Sequence, residues 1–183
     1  MSGFPRSDPR PRGHFATAAA VYQNSPAVAQ GSYQTFTDTL NLTVRNTLPD
    51  NFGTYAADGI HDDWQVLYFG IDNPDAGPAV DPDFDGQNNL FEFTAGIVPT
   101  DPNSRFLINA QNVSGQPSHR DIVFSPRFTD RTYTVQTSPT LTLSTAWTDL
   151  TTIITSDNGT IRTVTDTDAT GLRKFYQVEI IRP

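Results

Sequence analysis

One stretch of twelve residues constrains this chain more than any other. Residues 81–92 carry a carboxylate at the first, third, fifth and twelfth positions, and Gly86 stands at the sixth. Three aspartates within five residues repel one another at about 1 kcal/mol per pair in water. The glycine directly after the third aspartate permits the sharp turn that brings these side chains together with Glu92. The pattern therefore predicts a loop that wraps a cation.

The spacing of these residues is that of an EF-hand loop. Ca²⁺ prefers six to eight hard oxygen ligands, and a loop of this kind supplies them from alternate positions, a main-chain carbonyl and a terminal bidentate glutamate. A solvated acidic loop without an ion is the alternative interpretation. The predicted calcium ligands are Asp81, Asp83, Asp85, the carbonyl of Gln87, the side chain of Asn89 and Glu92.

A weaker version of the pattern precedes this loop, in residues 54–65. Aligned on its glycine, Asp58 takes the fifth position and Asp62 the ninth, but Thr54 and Ala56 replace the carboxylates of the first and third. We expect this segment not to hold an ion tightly. Asp62 or Asp63 is better explained as the cap of a helix.

Two short segments with helical spacing of apolar residues flank the acidic loop. One runs from Asp62 or Asp63 to Phe69, with an aspartate as its N-cap, and the other from about Asn88 to Ala95. A glycine follows each segment and is expected to end the helix.

A strand is predicted at residues 36–44, because Phe36, Leu40, Leu42 and Val44 fall on one face of an alternating pattern. The preceding sequence is Pro-rich and predicted to be irregular, with one weak strand candidate at 15–22. The strand is therefore expected to pair with a C-terminal sheet or with another copy of the chain.

Short strands separated by turn residues recur from residue 105 onward, which is typical of a β-sandwich. The pair Asn158 and Gly159 predicts a hairpin with a type I′ turn, since that turn needs positive φ at both central residues. The predicted strands are 105–110, 121–124, 132–137, 146–150, 151–155, 160–164 and 174–181.

The charge and the missing motifs exclude several classes of function. The formal net charge is −8, and Arg6, Arg10 and Arg12 form the one basic cluster, so nucleic acid is not an expected partner. The chain has no cysteine, no stretch of about 20 apolar residues that could span a membrane, and no nucleophile elbow or phosphate loop. Its three histidines lack the spacing of catalytic or metal pairs. An enzyme is not expected.

These residues together carry a resemblance that covers residues 55–183. The matching stretches are Asp58 to Trp64, Tyr68-Phe69-Gly70, Asp81 to Glu92, Gly96 to Ser104, Tyr133 to Ser138, Trp147 and Phe175 to Val178. They resemble the thrombospondin type 3-like and dockerin-like calcium segments of large secreted bacterial proteins, in which a C-terminal β-sandwich commonly follows. The resemblance implies calcium binding, export from the cell, and Asp101 and Asn103 as extra ligands. The duplicated loops that bind cohesin are absent, so no cohesin partner is implied.

We thus predict a mainly β chain in three parts: an N-terminal extension (1–49), an EF-hand-like helical hairpin that binds calcium (50–104) and a β-sandwich (105–183). The expected role is an extracellular or cell-surface structural or adhesive protein, assembling by strand donation into a filament or surface layer. The alternative is a carbohydrate-binding module of a secreted hydrolase, in which Trp64 or Trp147 would stack on a sugar ring. Core packing is the competing explanation for both tryptophans.

Overall fold

A computed structural model describes residues 19–141, 146–171 and 173–183. In these ranges the chain is mainly β, as predicted, with several antiparallel sheets and two short α-helices. The basic cluster Arg6, Arg10 and Arg12 lies outside the described residues, as does the first half (15–18) of the weak strand candidate at 15–22; residues 19–22 form no strand. Among the described residues, no helix is both long and apolar enough to cross a membrane.

The predicted strand at 36–44 is confirmed, but the prediction that it lacks a local partner is wrong. Strand β1 (Ser25–Tyr33) pairs antiparallel with β2 (Phe36–Val44), from Ser25 opposite Val44 to Tyr33 opposite Phe36. Gln34, with φ 53°, lies in the tight turn between them. Strand β1 escapes a sequence-based prediction because small and polar residues replace the β-branched residues that mark strands.

In the part of the chain that the structure describes, seven further strands form two antiparallel sheets. Their bounds are β3 (Leu107–Val113), β4 (Gln116–Ser125), β5 (Thr132–Ser138), β6 (Thr148–Asp149), β7 (Ile153–Asn158), β8 (Ile161–Asp166) and β9 (Phe175–Ile181). One sheet has the order β3-β4-β8-β7 and the other the order β6-β5-β9. Each predicted strand from residue 105 onward has a counterpart, although β4 is longer than predicted and β6 shorter.

The hairpin predicted at Asn158 and Gly159 is present with a shifted turn. Asn158 still pairs with Ile161, so the two turn residues are Gly159 and Thr160. Only Gly159 has positive φ, at 60°. Glycine at the first central position is the mark of a type II′ turn, not of the predicted type I′ turn.

The two larger sheets share one buried cluster of side chains. Val135 and the partly buried Val178 come from the three-stranded sheet, while Ile122, Phe124 and Val164 come from the four-stranded sheet. The segment between the acidic loop and the sheets contributes the remainder. Its members are Ala95, Ile97 and Phe106, and Leu150 joins them after β6.

Both predicted helices are present, as α1 (Asp62–Phe69) and α2 (Asn89–Ala95). The predicted aspartate N-cap of α1 is wrong, because His61 occupies that position and makes no side-chain capping bond. The structure also does not show an EF-hand helical hairpin. Irregular chain with the 3-10 turn Pro74–Ala76 separates α1 from the acidic loop, and prolines at 74, 78 and 82 disfavour a helix there.

One buried carboxylate serves the sheets and not the acidic loop. Asp166, at the end of β8, is fully buried; it pairs with the ammonium of Lys174 and accepts hydrogen bonds from the Tyr176 hydroxyl at 2.8 Å and the Asp168 N–H at 2.9 Å. Burial by itself would raise the pKa of Asp166, but these partners outweigh burial and lower it. The carboxylate is therefore charged in the folded protein and fixes the end of β8.

Candidate metal centre

The three aspartates of the acidic loop, residues 81–92, are oriented by the loop's own backbone. One oxygen of Asp81 accepts the N–H of Gly86 at 2.9 Å, and one oxygen of Asp85 accepts the N–H of Gln87 at 2.7 Å. Asp83 likewise accepts the N–H of Asp85 at 3.2 Å. Each carboxylate thus accepts a hydrogen bond within the loop through one oxygen, and this bond fixes the direction of its other oxygen.

The remaining oxygens of the three aspartates lie close together. Asp81, Asp83 and Asp85 each offer an oxygen within 4.8 Å of the others, and Asp81 Oδ1, Asp83 Oδ2 and Asp85 Oδ2 are buried with no hydrogen-bond partner. Glu92, on the first turns of α2, is fully buried and both of its carboxylate oxygens are unpartnered. Buried polar atoms in proteins are nearly always satisfied. Five carboxylate oxygens of this one loop are thus buried without a hydrogen bond, a cage whose chemistry fits a positively charged ion.

The surroundings of the cage disfavour the ionised form of its carboxylates. Burial, together with the negative charges of Asp83, Asp85 and Asp81, raises the pKa of Glu92 to about 8. Burial also raises the pKa of Asp83, with its two aspartate neighbours contributing. Without a cation the cage therefore favours protonation, and a divalent ion would supply the missing positive charge.

The predicted ligands at the seventh and ninth positions have additional roles. The side chain of Gln87 bonds both backbone groups of Phe106, accepting its N–H at 3.0 Å and donating to its carbonyl at 2.9 Å. Asn89 is fully buried and donates to the carbonyls of Asp75 and Gly77, which leaves its Oδ1 unpartnered. The amide oxygen of Asn89 is thus free of any protein donor, whereas the side chain of Gln87 fastens the loop to the start of the sheets.

Asp101 and Asn103, which are expected as extra ligands, do not join the loop carboxylates, whereas Arg105 contacts one of them. Asp101 accepts hydrogen bonds from the backbone and side chain of Asn103, both residues are exposed, and neither belongs to the acidic group. The structure adds Arg105 to the site, since its Nε lies 3.5 Å from Asp85 Oδ2 and offsets part of the negative charge. A lone arginine thirteen residues beyond the loop carries no sequence signal for this contact.

Comparison with protein-family models, with curated proteins and with solved structures finds no match to this chain. The chemistry of the site must therefore be argued from its own geometry. Carboxylate and amide oxygens without nitrogen or sulfur donors suit hard cations such as Ca²⁺ and Mg²⁺. The acidic loop has such donors on Asp81, Asp83 and Asp85, whose oxygens lie within 4.8 Å of one another, and on Glu92, whose buried oxygens accept no hydrogen bond.

Beyond the loop, α2 is fastened to the sheets at its C-terminal end. Arg131 donates from Nε to the carbonyl of Thr94 at 2.6 Å, and Arg182 donates to the carbonyl of Phe93 at 3.2 Å. The guanidinium of Arg182 also stacks 3.7 Å from the centre of the Phe93 ring. These cations satisfy carbonyls that a helix end leaves open, so a change in the position of Glu92 would be felt in the sheets.

Proposed function

We propose that this chain is an extracellular structural or adhesive protein whose acidic loop binds one Ca²⁺, and that the ion stabilises its fold. The observation that carries the proposal is the set of five buried carboxylate oxygens on Asp81, Asp83, Asp85 and Glu92, none of which accepts a hydrogen bond. Ca²⁺ is favoured over Mg²⁺ because it accepts more ligands in a less regular arrangement, including a bidentate glutamate. The Gln87 carbonyl and Asn89 would complete the set.

The fold proposed around this ion is a β-sandwich preceded by an EF-hand-type loop. The shared core of the three-stranded and four-stranded sheets supports the sandwich, since Val135 of one sheet and Ile122 of the other lie in the same cluster. The hydrogen-bonded turn through Gly86 and the helix that begins at Asn89 support the EF-hand type. Extracellular location is proposed from the resemblance stated above and from calcium, which is abundant enough outside cells to fill sites of millimolar affinity.

Assembly with further copies of the same chain is part of this proposal. The hairpin of β1 and β2 exposes Phe36 (75%), Leu40 (61%) and Leu42 (45%) on one face. Among the described residues it pairs with no other strand, and a two-stranded hairpin alone is marginally stable in water. A sheet edge of a second copy would extend the hairpin and cover its apolar face. The element proposed to be donated is therefore the hairpin of β1 and β2, and not the single strand at 36–44.

Calcium titration of the whole chain tests the central proposal. Isothermal titration calorimetry should detect Ca²⁺ binding to the wild type, with the site lost in the double variant Asp83→Asn/Glu92→Gln. Asp75→Asn is the matched control, because Asp75 is exposed and lies outside the cage. No binding by the wild type up to about 10 mM Ca²⁺, or equal binding by the double variant, would contradict the site.

A further inference from the structure

Residues 50–65, here termed the upstream loop, repeat the hydrogen-bond pattern of the acidic loop. The N–H of Gly59 donates to Asp50 Oδ2 at 3.0 Å, as the glycine of the acidic loop donates to its opening aspartate. The N–H of Ile60 donates to Asp58 Oδ1 at 2.9 Å, as the next residue there donates to the middle aspartate. Asp50 and Asp58 thus occupy the places of the first and fifth loop positions.

The backbone conformations agree with this pairing. Gly59 has φ 92° and Gly86 has φ 93°, while two positions earlier Ala57 has φ 63° and Phe84 has φ 61°. Left-handed backbone is uncommon for a residue other than glycine. The same pair of left-handed residues in both loops indicates one turn built twice.

The sequence register hides this equivalence because the upstream loop is longer. Asp58 follows Asp50 by eight positions, whereas Asp85 follows Asp81 by four. Placing Thr54 at the first position, as the ungapped alignment does, is inconsistent with the structure. The Thr54 hydroxyl donates instead to Asp72 at 2.9 Å.

Buried oxygens without partners also recur in the upstream loop. Asp62 and Gln65 are fully buried, and Asp62 Oδ1, Gln65 Oε1 and Asn51 Oδ1 have no hydrogen-bond partner. The amide nitrogen of Gln65 donates to both Asp58 Oδ2, at 2.8 Å, and the carbonyl of Ala76, at 2.9 Å. Since both N–H groups are used, the orientation of the amide is fixed, and its oxygen accepts no hydrogen bond.

A buried water does not account for this arrangement. A water molecule donates two hydrogen bonds and carries no charge, whereas three oxygens here are unpartnered. A cation would satisfy these buried oxygens and offset the negative charges of Asp58 and Asp62 at once.

We propose that the upstream loop is a second site for a hard divalent cation, with Asp58, Asp62, Gln65 and the side chain of Asn51 as its oxygen ligands. Gln65 stands where the acidic loop has Glu92. A neutral amide replaces a bidentate carboxylate there, so the upstream loop binds Ca²⁺ more weakly than the acidic loop. The site does not depend on the occupant of the acidic loop.

The stoichiometry of Ca²⁺ binding tests this proposal. Equilibrium dialysis of the full chain against radioactive Ca²⁺, up to about 5 mM, should give two ions per wild-type chain and one per chain of Asp62→Asn. The neighbouring Asp63 is exposed and bonds only its local backbone, so Asp63→Asn makes the same change of charge and should retain two ions. Circular dichroism in EDTA shows whether each variant is folded, and Asp58→Asn replaces Asp62→Asn if the latter is not.

The double variant Asp83→Asn/Glu92→Gln separates the two sites. If it retains one ion that Asp62→Asn lacks, the upstream site stands, whatever the acidic loop binds. A wild type that binds one ion, lost in the double variant and kept in Asp62→Asn, would overturn the upstream site while leaving the proposed function intact. Equal loss in Asp63→Asn and Asp62→Asn would also overturn it, because the effect would then come from net charge alone.

Discussion

The sharpest consequence of the cage is that Asp83→Asn should have opposite effects on stability with and without Ca²⁺. In EDTA the charges of Asp81, Asp83 and Asp85 repel one another within 4.8 Å, at about 1 kcal/mol or more per pair. Asparagine keeps an oxygen for the N–H of Asp85 and removes one charge. The metal-free variant should therefore melt above the metal-free wild type, by roughly 2–4 °C per kcal/mol for a chain of this size.

With Ca²⁺ the order should reverse. An ion at a hundred times its dissociation constant stabilises the wild type by about 2.7 kcal/mol, or roughly 5–11 °C, and Asp83→Asn should lose most of that gain. Calorimetric melts of both chains in EDTA and in CaCl₂ measure the four values, with Asp75→Asn as an exposed control that should follow the wild type. Equal wild-type melting temperatures in the two buffers would refute the reasoning. A variant that melts lower than the wild type by the same amount in both would show that Asp83 is a structural residue only.

Three further predictions concern other parts of the chain. Leu42→Asp should abolish any self-association seen by light scattering over a concentration series, while Asn41→Asp, on the polar face of β2, should preserve it; a wild type that stays monomeric at high concentration would contradict assembly through the hairpin. Trp147 is half-buried, so Trp147→Ala should cost about 3 kcal/mol of unfolding free energy, and selective loss of polysaccharide binding with an unchanged melt would instead favour the carbohydrate-binding alternative. Because the pKa of Asp166 is lowered in the folded protein, its contribution to the free energy of unfolding is present above about pH 4 and is lost as the pH falls through the folded pKa. In urea titrations, Asp166→Asn should therefore cost about 3 kcal/mol of unfolding free energy at pH 7. The cost should become progressively smaller below about pH 4.

The acidic loop and both helices could be predicted because their signals are local. The alternate aspartates, Gly86 and Glu92 lie within twelve residues, and the hydrogen bonds that orient them are also within the loop. The same holds for β2, whose apolar alternation survives in the structure as one face. Patterns that encode both the residues and their partners in one short segment are the ones that sequence reasoning recovers.

The place of Asp50 in the upstream loop and the strand β1 were not predicted, for different physical reasons. In the upstream loop, four extra residues separate Asp50 from Asp58, so a fixed spacing cannot align it with the acidic loop. Strand β1 is held by backbone pairing with β2, and the residue types of β1 contribute little to that pairing. The contact of Arg105 with Asp85 depends on the path of the chain after α2, which no local pattern specifies.

The connections of α2 explain why an ion in the acidic loop would stabilise the sheets as well as the loop. Gln87 bonds the backbone of Phe106, whose side chain lies in the core shared by the sheets. At the other end of the helix, Arg131 bonds the carbonyl of Thr94 so closely that a side chain at Gly96 would meet its guanidinium at 2.6 Å. The loop and the sheets are thus joined before and after Glu92 by short, fixed contacts. Repulsion that displaces Glu92 in the absence of Ca²⁺ would strain both junctions, and therefore calcium removal should lower the stability of the sheets rather than merely loosen the loop.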